Sequence, residues 1–429
     1  MEHSDVGDSF SRMIAQIQLT ARHMASIEMG PVTLLVGASI ISPRMLPWAL
    51  GVAGLFWIIR YLAYGRLSLR TLVDWPMALL VFMLPVSLWV TALPEITRLA
   101  VGYVLLGIAL LYTIANWATS PGRVRLLVAG LLLAGLSLAL VAPFSVTQPA
   151  SNKLPFVPKA IYTQLPPLLG DTVHPNVMAG PLAILLPVAL ALLLFARRQL
   201  PWYYRSLAGV VALVIILVLV FTQSRGGLLA LGTTLITLAL LRWRRGWLLL
   251  IITAAAAALA FRYLGGSVVI EHLTTDRTFS GVDGRLIVWS RALSIIRDFP
   301  FTGVGMGTFR PVAEALYALY DPFGSLTHAH NLFLQIGVDL GFPGLVAWLA
   351  ILMLVVFASW CLYRQGQAVG DGWLASLGAG LLCSQLALVT HGLIDAVTWG
   401  GIRPAVMTWA LWGLAMASWN THGVSEGVS

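Results

Sequence analysis

The chain has 429 residues, of which 59% are hydrophobic and only 10% charged, with a mean hydropathy of +0.86. Those proportions exclude a water-soluble globular domain, because apolar runs of about 20 residues recur along the whole length and only a bilayer explains them. The formal charge of +9 comes from short basic clusters between the apolar runs, a topogenic pattern and not a nucleic-acid surface, so no nucleic acid is expected as a partner.

Residues 1–28 are polar and mixed in charge; no cleaved signal peptide is expected, and SFSRMIAQIQLTARHM reads as an interfacial helix. Candidate spans follow at 29–43, 45–64, 75–93, 99–118, 124–145, 177–196, 206–222, 226–241, 246–263, 332–362, 373–397 and 402–419. Two connections are long: 146–176, rich in proline, and 264–331, large enough to hold helices of its own. Cys361 and Cys383 lie inside apolar runs, with no disulfide or metal spacing. No internal repeat and no inverted pseudo-symmetry is visible.

Orientation follows from the basic residues. One set of connections carries Arg12, Arg22, Arg60, Arg66, Arg70, Arg123, Arg125, Arg197, Arg198, Arg205, Arg242, Arg244, Arg245 and Arg364. The opposite short loops carry only Arg44, Arg98, Lys153, Lys159, Arg225 and Arg403. The positive-inside rule puts both termini in the cytoplasm and both long loops outside. The expected fold class is therefore an all-α polytopic integral membrane protein of about 12 transmembrane helices, with one large periplasmic or extracellular loop containing short helices. It divides into a cytoplasmic interfacial segment (1–28), transmembrane helices 1–9 (29–263), the external loop (264–331), transmembrane helices 10–12 (332–419) and a cytoplasmic tail (420–429).

The outer face gathers the polar residues. In TQSRGGLLALG, Arg225 stands at a tight turn, and the glycines after it leave backbone N–H groups at a helix start open to an anion; a snorkelling topology arginine is the competing reading. Arg285, Arg291 and Arg297 recur at a spacing that does not put all three on one helix face. Gly303, Gly305 and Gly307 follow Pro300 with no preceding strand, so a close-packed turn accounts for them better than a nucleotide loop.

His328 and His330 point the same way only if their segment is extended. A zinc site needs further ligands; the other outer-face histidines, His174 and His272, do not cluster with them, and no metal is expected. A neutral histidine is suited to taking a proton from a hydroxyl, while capping or packing at a loop–helix junction is the commoner role. Asn176, after Pro175, is placed to cap the next helix. His391 and Asp395, four apart inside a span, are expected to satisfy each other; apart from them the spans are nearly free of ionisable groups.

His330-Asn331, nine residues, then Gly341-x-x-Gly344 resembles the H-[NSQ]-x9-G-x-x-G pattern of the O-antigen ligase superfamily. SRGG at Arg225, GR…W leading to PFTGVGMGTF, and HPN…A at His174 resemble it too, so the similarity runs from about Gly170 to Phe342. The resemblance implies an enzyme working on an oligosaccharide carried by undecaprenyl diphosphate, in the bacterial inner membrane with its site on the periplasmic side. It makes His330 the base and Arg225 and Arg285 the diphosphate grip, with Arg291, Arg297 and Arg310 as alternatives for the second arginine. His328, Asn331, His174 and Asn176 become supporting residues, and no cofactor is implied.

The implied reaction is inverting and metal-independent transfer of the glycan to an acceptor hydroxyl, such as a sugar of lipid A core. An O-antigen or exopolysaccharide polymerase and a protein O-oligosaccharyltransferase share these residues and differ only in acceptor. An anion transporter would need a polar line across the membrane; the polar groups here are one-sided, which favours an enzyme at one leaflet. A scaffold would leave Arg225 and His330 dispensable. Gly341 and Gly344 read as packing sites that let their helix approach a neighbour.

Overall fold

The computed structural model describes residues 2–147, 172–196, 198–264, 282–319 and 326–423, and these form an almost entirely helical bundle. In chain order the helices are α1 (Glu2–Ser26), α2 (Met29–Ile41), α3 (Leu46–Tyr64), α4 (Asp74–Val90), α5 (Pro94–Trp117) and α6 (Pro121–Val141). Then come α7 (Pro175–Phe195), α8 (Trp202–Thr222), α9 (Arg225–Arg242), α10 (Leu248–Leu264), α11 (Val282–Asp298) and α12 (Phe309–Leu316). The last three are α13 (Leu332–Val369), α14 (Gly372–Gly392) and α15 (Val406–Thr421). Among the described residues the sole extended pairing is a bridge between Val146 and Val173, which ties the two ends of the proline-rich connection. Lys153, Lys159, Arg197 and His272 lie outside the described residues.

Among the described residues, eight helical stretches are long and apolar enough to cross a membrane. Residues Arg12–Ser26 and Met29–Ile41 form a further pair bent by 45°, so the candidate first span joins the end of the amphipathic N-terminal segment. The candidates at 75–93 and 246–263 are shorter apolar helices, α4 and α10. Where the sequence predicts one long outer loop, α11 and α12 occupy it.

Among the longer spans α5, α7 and α14 each have about four-fifths of their apolar window buried, and α15 is buried along almost its whole length. Lipid offers no hydrophobic drive between helices, so close packing depends on small residues. A Cβ added at Gly378 of α14 would lie 2.2 Å from the Tyr363 nitrogen of α13, and one at Gly380 would lie 2.9 Å from Cα of Val188 in α7. Glycine lets α14 seat directly against both neighbours.

One topogenic arginine has a different job. Arg60 is only 2% exposed inside α3, and its Nη2 lies 3.4 Å from Oε1 of Glu28, which also accepts a hydrogen bond from Thr113 Oγ1 at 2.8 Å. The pair locks the α1–α2 bend onto α3 and α5 and does not sit in a solvated loop. Removing one partner of a buried ion pair leaves an uncompensated charge, whereas removing both does not. Glu28→Gln is expected to destabilise the protein by about 3–5 kcal/mol, and Glu28→Gln with Arg60→Met to recover most of that loss. Thermal unfolding of the detergent-purified protein measures both.

The other departure from regular helix lies at Gly341, where α13 bends with φ 67° and ψ −172° just ahead of Pro343. In an unbroken helix the Phe342 N–H would bond to the Val338 carbonyl. Here Phe342 N–H donates to the Pro300 carbonyl at 2.6 Å, and the Val338 carbonyl accepts from Val304 N–H at 2.9 Å. The turn 300–307 thus satisfies both groups that the kink frees. Two glycine motifs far apart in sequence are the two halves of one element. Gly341 approaches a neighbour closely, since a Cβ there would lie 2.6 Å from the Pro300 oxygen; Gly344 meets Leu340 of its own helix across the bend.

Candidate active site

The site lies where the starts of α7, α9 and α13 meet the end of α14, with α11 alongside. In the segment before α13, Asn331 is extended while His330 has a φ of +48°, in the left-handed region that only glycine adopts freely. That conformation puts both imidazoles on one side, with ring centroids 4.5 Å apart. Asn331 caps α13, accepting from Phe333 N–H at 3.0 Å and Leu334 N–H at 3.1 Å. Its Nδ2 donates to the Leu393 carbonyl at 3.1 Å, tying the histidine loop to the end of α14.

The carboxylate of Asp395 joins the rest. Its Oδ1 lies 3.2 Å from His328 Nε2 and accepts the Ala396 N–H at 2.8 Å. Asn176 Nδ2 donates to Oδ2, and His330 Nδ1 faces the same oxygen at 3.8 Å. This corrects two expectations. Asp395 does not pair with His391, whose two ring nitrogens have no hydrogen-bond partner among the described residues although the residue is fully buried. Asn176 is not the cap of α7, because His174 Nδ1 fills that role, accepting the Asn176 N–H at 3.2 Å. Proline at the first helical position fixes the turn, so the residue before it becomes the cap and Asn176 is freed to reach across.

The electrostatics follow from burial. Burial pushes His328 down to about 3, against the opposing pull of Asp395. Burial alone would disfavour charge on Asp395, but His328 and then His330 outweigh it and hold the carboxyl well below the usual carboxylate range. His328 Nδ1 accepts the His330 N–H at 3.2 Å, and that bond assigns the ring proton to Nε2, facing Asp395.

His328, His330 and Asp395 bring three ligand-type atoms within 4.8 Å of one another, a cluster invisible when histidines alone are considered. Their hydrogen bonds fit a relay better than a coordination sphere. His328 presents a proton and not a lone pair, and Asp395 is already engaged by Asn176 and Ala396. His330 is set apart: its Nδ1 is buried and 3.8 Å from Oδ2, beyond hydrogen-bond range, so a modest closure makes an Asp–His pair.

The predicted arginines divide. Arg225 is the first residue of α9, behind Ser224, whose side chain caps the helix by accepting Gly227 N–H at 3.2 Å. Next to it, Gly226 packs on His391; a Cβ there would lie 3.1 Å from the ring. The charge of Arg285, on α11, bears on both His328 and His391. Arg285 therefore lies within electrostatic range of the two histidines, and the start of α9, which carries Arg225, reaches His391 through Gly226. Arg291 is half-buried on α11, Arg297 is exposed at its end, and Arg310 is engaged 2.9 Å from Glu314 on its own helix.

Residues 210–349 match the family model for O-antigen ligase. Over that stretch the chain is similar to the O-antigen ligase superfamily. No curated protein matches the chain significantly. Members of this family are membrane glycosyltransferase-like enzymes. The matched stretch carries Arg225, Arg285, His328 and His330, while Asn176 on α7, His391 on α14 and Asp395 in the segment after α14, which complete the cluster, lie on either side of it.

Sequence reasoning passed over Asp339 and Gln335, counting the spans as free of ionisable groups beyond His391 and Asp395. Asp339 is 1% exposed within α13. An acid in the apolar run IGVDLG was the available signal, since an intramembrane carboxylate marks a functional position by default.

Proposed function

We propose that this protein transfers a glycan from undecaprenyl diphosphate to an acceptor hydroxyl, with a sugar of lipid A core as the acceptor, at the periplasmic face of a bacterial inner membrane. The observation that carries the reading is His330 backed by Asp395, in a cluster flanked by Arg225 and Arg285 within a matched O-antigen ligase domain.

In this reading His330 takes the proton of the acceptor hydroxyl as its oxygen attacks the anomeric carbon. The bond from that carbon to the diphosphate oxygen breaks, and the diphosphate leaves with its charge held by the two guanidiniums. Attack opposite the leaving group inverts the anomeric centre. Arginine suits this task because it stays charged and meets phosphate oxygens bidentately. Asp395 stabilises the imidazolium that forms, and His328 and Asn176 hold Asp395 in place. The proposed reaction is metal-independent and invokes only groups that belong to the chain.

The test is reconstitution of the purified protein with an undecaprenyl-diphosphate oligosaccharide and, separately, lipid A core, a second lipid-linked chain or a hydroxyl-bearing protein. Transfer to core is the expected result. A ladder of repeat lengths would make the protein a polymerase, and modification of the protein acceptor alone an oligosaccharyltransferase. Loss of transfer to core on adding a chelator would overturn the metal-free mechanism.

A further inference from the structure

His330 holds a backbone conformation that a side-chain-bearing residue rarely adopts, so something around it must enforce that conformation. A continuous hydrogen-bond path does so. The N–H of Ala329, between the two histidines, donates to Gln335 Oε1 at 2.8 Å. Gln335 Nε2 donates to Asp339 Oδ1 at 2.8 Å, one helical turn further along α13. The same Oδ1 accepts Gly307 N–H at 3.1 Å, and Oδ2 accepts Trp399 Nε1 at 2.9 Å. Gly307 ends the glycine turn that satisfies the kink in α13, and Trp399 lies in the segment just after Asp395.

Among the described residues Asp339 is thus bonded to three donors and to no cation, and each donor leads to a different part of the site. A carboxylate is the one side chain that accepts at both oxygens; an asparagine would turn a donor toward Trp399 or toward Gln335. Gln335 is equally specific, since it must accept at one end and donate at the other. Both residues are buried, at 1% and 5% exposure, where a mispaired polar group is costly.

We infer that Asp339 and Gln335 are positioning residues that set the backbone of the 328–330 loop, and with it the direction of the His330 ring, in register with the Asp395 segment. The inference rests on the glycosyl-transfer reading for its kinetic consequence, but the loop geometry it asserts is measurable without activity.

The experiment uses the full-length protein in detergent with Gln335→Met, which matches volume and removes both relay bonds, with Asp339→Asn, and with Gln335→Glu alone and combined with Asp339→Asn. Hydrogen exchange is followed at residues 326–331, and kcat and donor KM are measured for transfer. Misplacing a reacting group by about 1 Å costs on the order of 100-fold, so kcat is expected to fall about 10- to 100-fold in Gln335→Met and Asp339→Asn, with donor KM changed less than about 3-fold. Exchange at the Ala329 amide rises while the α5 and α7 core stays protected. Gln335→Glu sets two carboxylates against each other, and Asp339→Asn on that background restores a donor–acceptor pair and recovers part of kcat.

Unchanged exchange at 326–331 in Gln335→Met overturns the proposal whatever the activity, and so does a kcat within 2-fold of wild type in both single variants. An equal rise in donor KM and fall in stability, with no change in kcat of the folded fraction, would make the pair merely structural. If the wild type transfers no glycan while the exchange result holds, the functional reading fails and the positioning of the loop stands.

Discussion

His330→Ala is expected to lower transfer by about 100- to 10,000-fold, the range that a positioned general base contributes. The loss belongs in kcat, with donor affinity changed little, because the proposed mechanism sets His330 against the acceptor hydroxyl and not the diphosphate. Asp395→Asn should approach the same loss although it removes only one charge. Asp395 accepts from Asn176, Ala396 and His328 and faces His330 Nδ1; an amide in its place turns a donor toward one of these groups and unsettles the ring the carboxylate steadies. Time courses of transfer with purified variants, each checked for unchanged thermal unfolding, decide the matter. Full activity in His330→Ala would remove the base from the mechanism, and full activity in Asp395→Asn would remove its partner.

Arg225 and Arg285 should fail differently. Each charge-assisted pair with phosphate is worth about 1.5–3 kcal/mol, so Arg225→Ala or Arg285→Ala is expected to weaken donor binding about 10- to 100-fold. Lysine should rescue poorly, since a point charge cannot reproduce a bidentate fork. The effects should be less than multiplicative in the double variant if, as proposed, both guanidiniums grip one diphosphate. Binding of the lipid-linked donor, measured directly, separates this from the acceptor-side loss at His330. Arg310→Ala is the control: that side chain is engaged by Glu314 on its own helix, and its removal should leave donor affinity within about 2-fold.

The His330–Asn331 spacing to Gly341 and the SRGG turn were legible because they are local, set by a loop, a cap and a helix start. The roles of Asp395 and Asn176 were not. Asp395 stands four residues from His391, so helical periodicity pairs them, yet α14 ends at Gly392 and the chain beyond it turns the carboxylate toward α13. Arg60 failed similarly. Its sequence neighbours mark it as a topogenic charge, and only the packing of α1–α2 against α3 brings Glu28 within 3.4 Å. The glycine turn at Gly303–Gly307 was correctly a packing device, but its partner, the kink at Gly341, lies on a different helix.

By itself, then, the sequence determined that this is a membrane-embedded helical chain whose polar chemistry concentrates near one set of helix ends, because hydropathy and local motifs depend only on neighbours along the chain. Tertiary structure alone decided which of the buried acids serves the histidines, which arginine is structural, and that Asp339 links the glycine turn to the loop carrying His330. Those choices depend on where helices end and bend. In a low-dielectric interior each buried polar group must find a partner across space, and adjacency in sequence does not supply one.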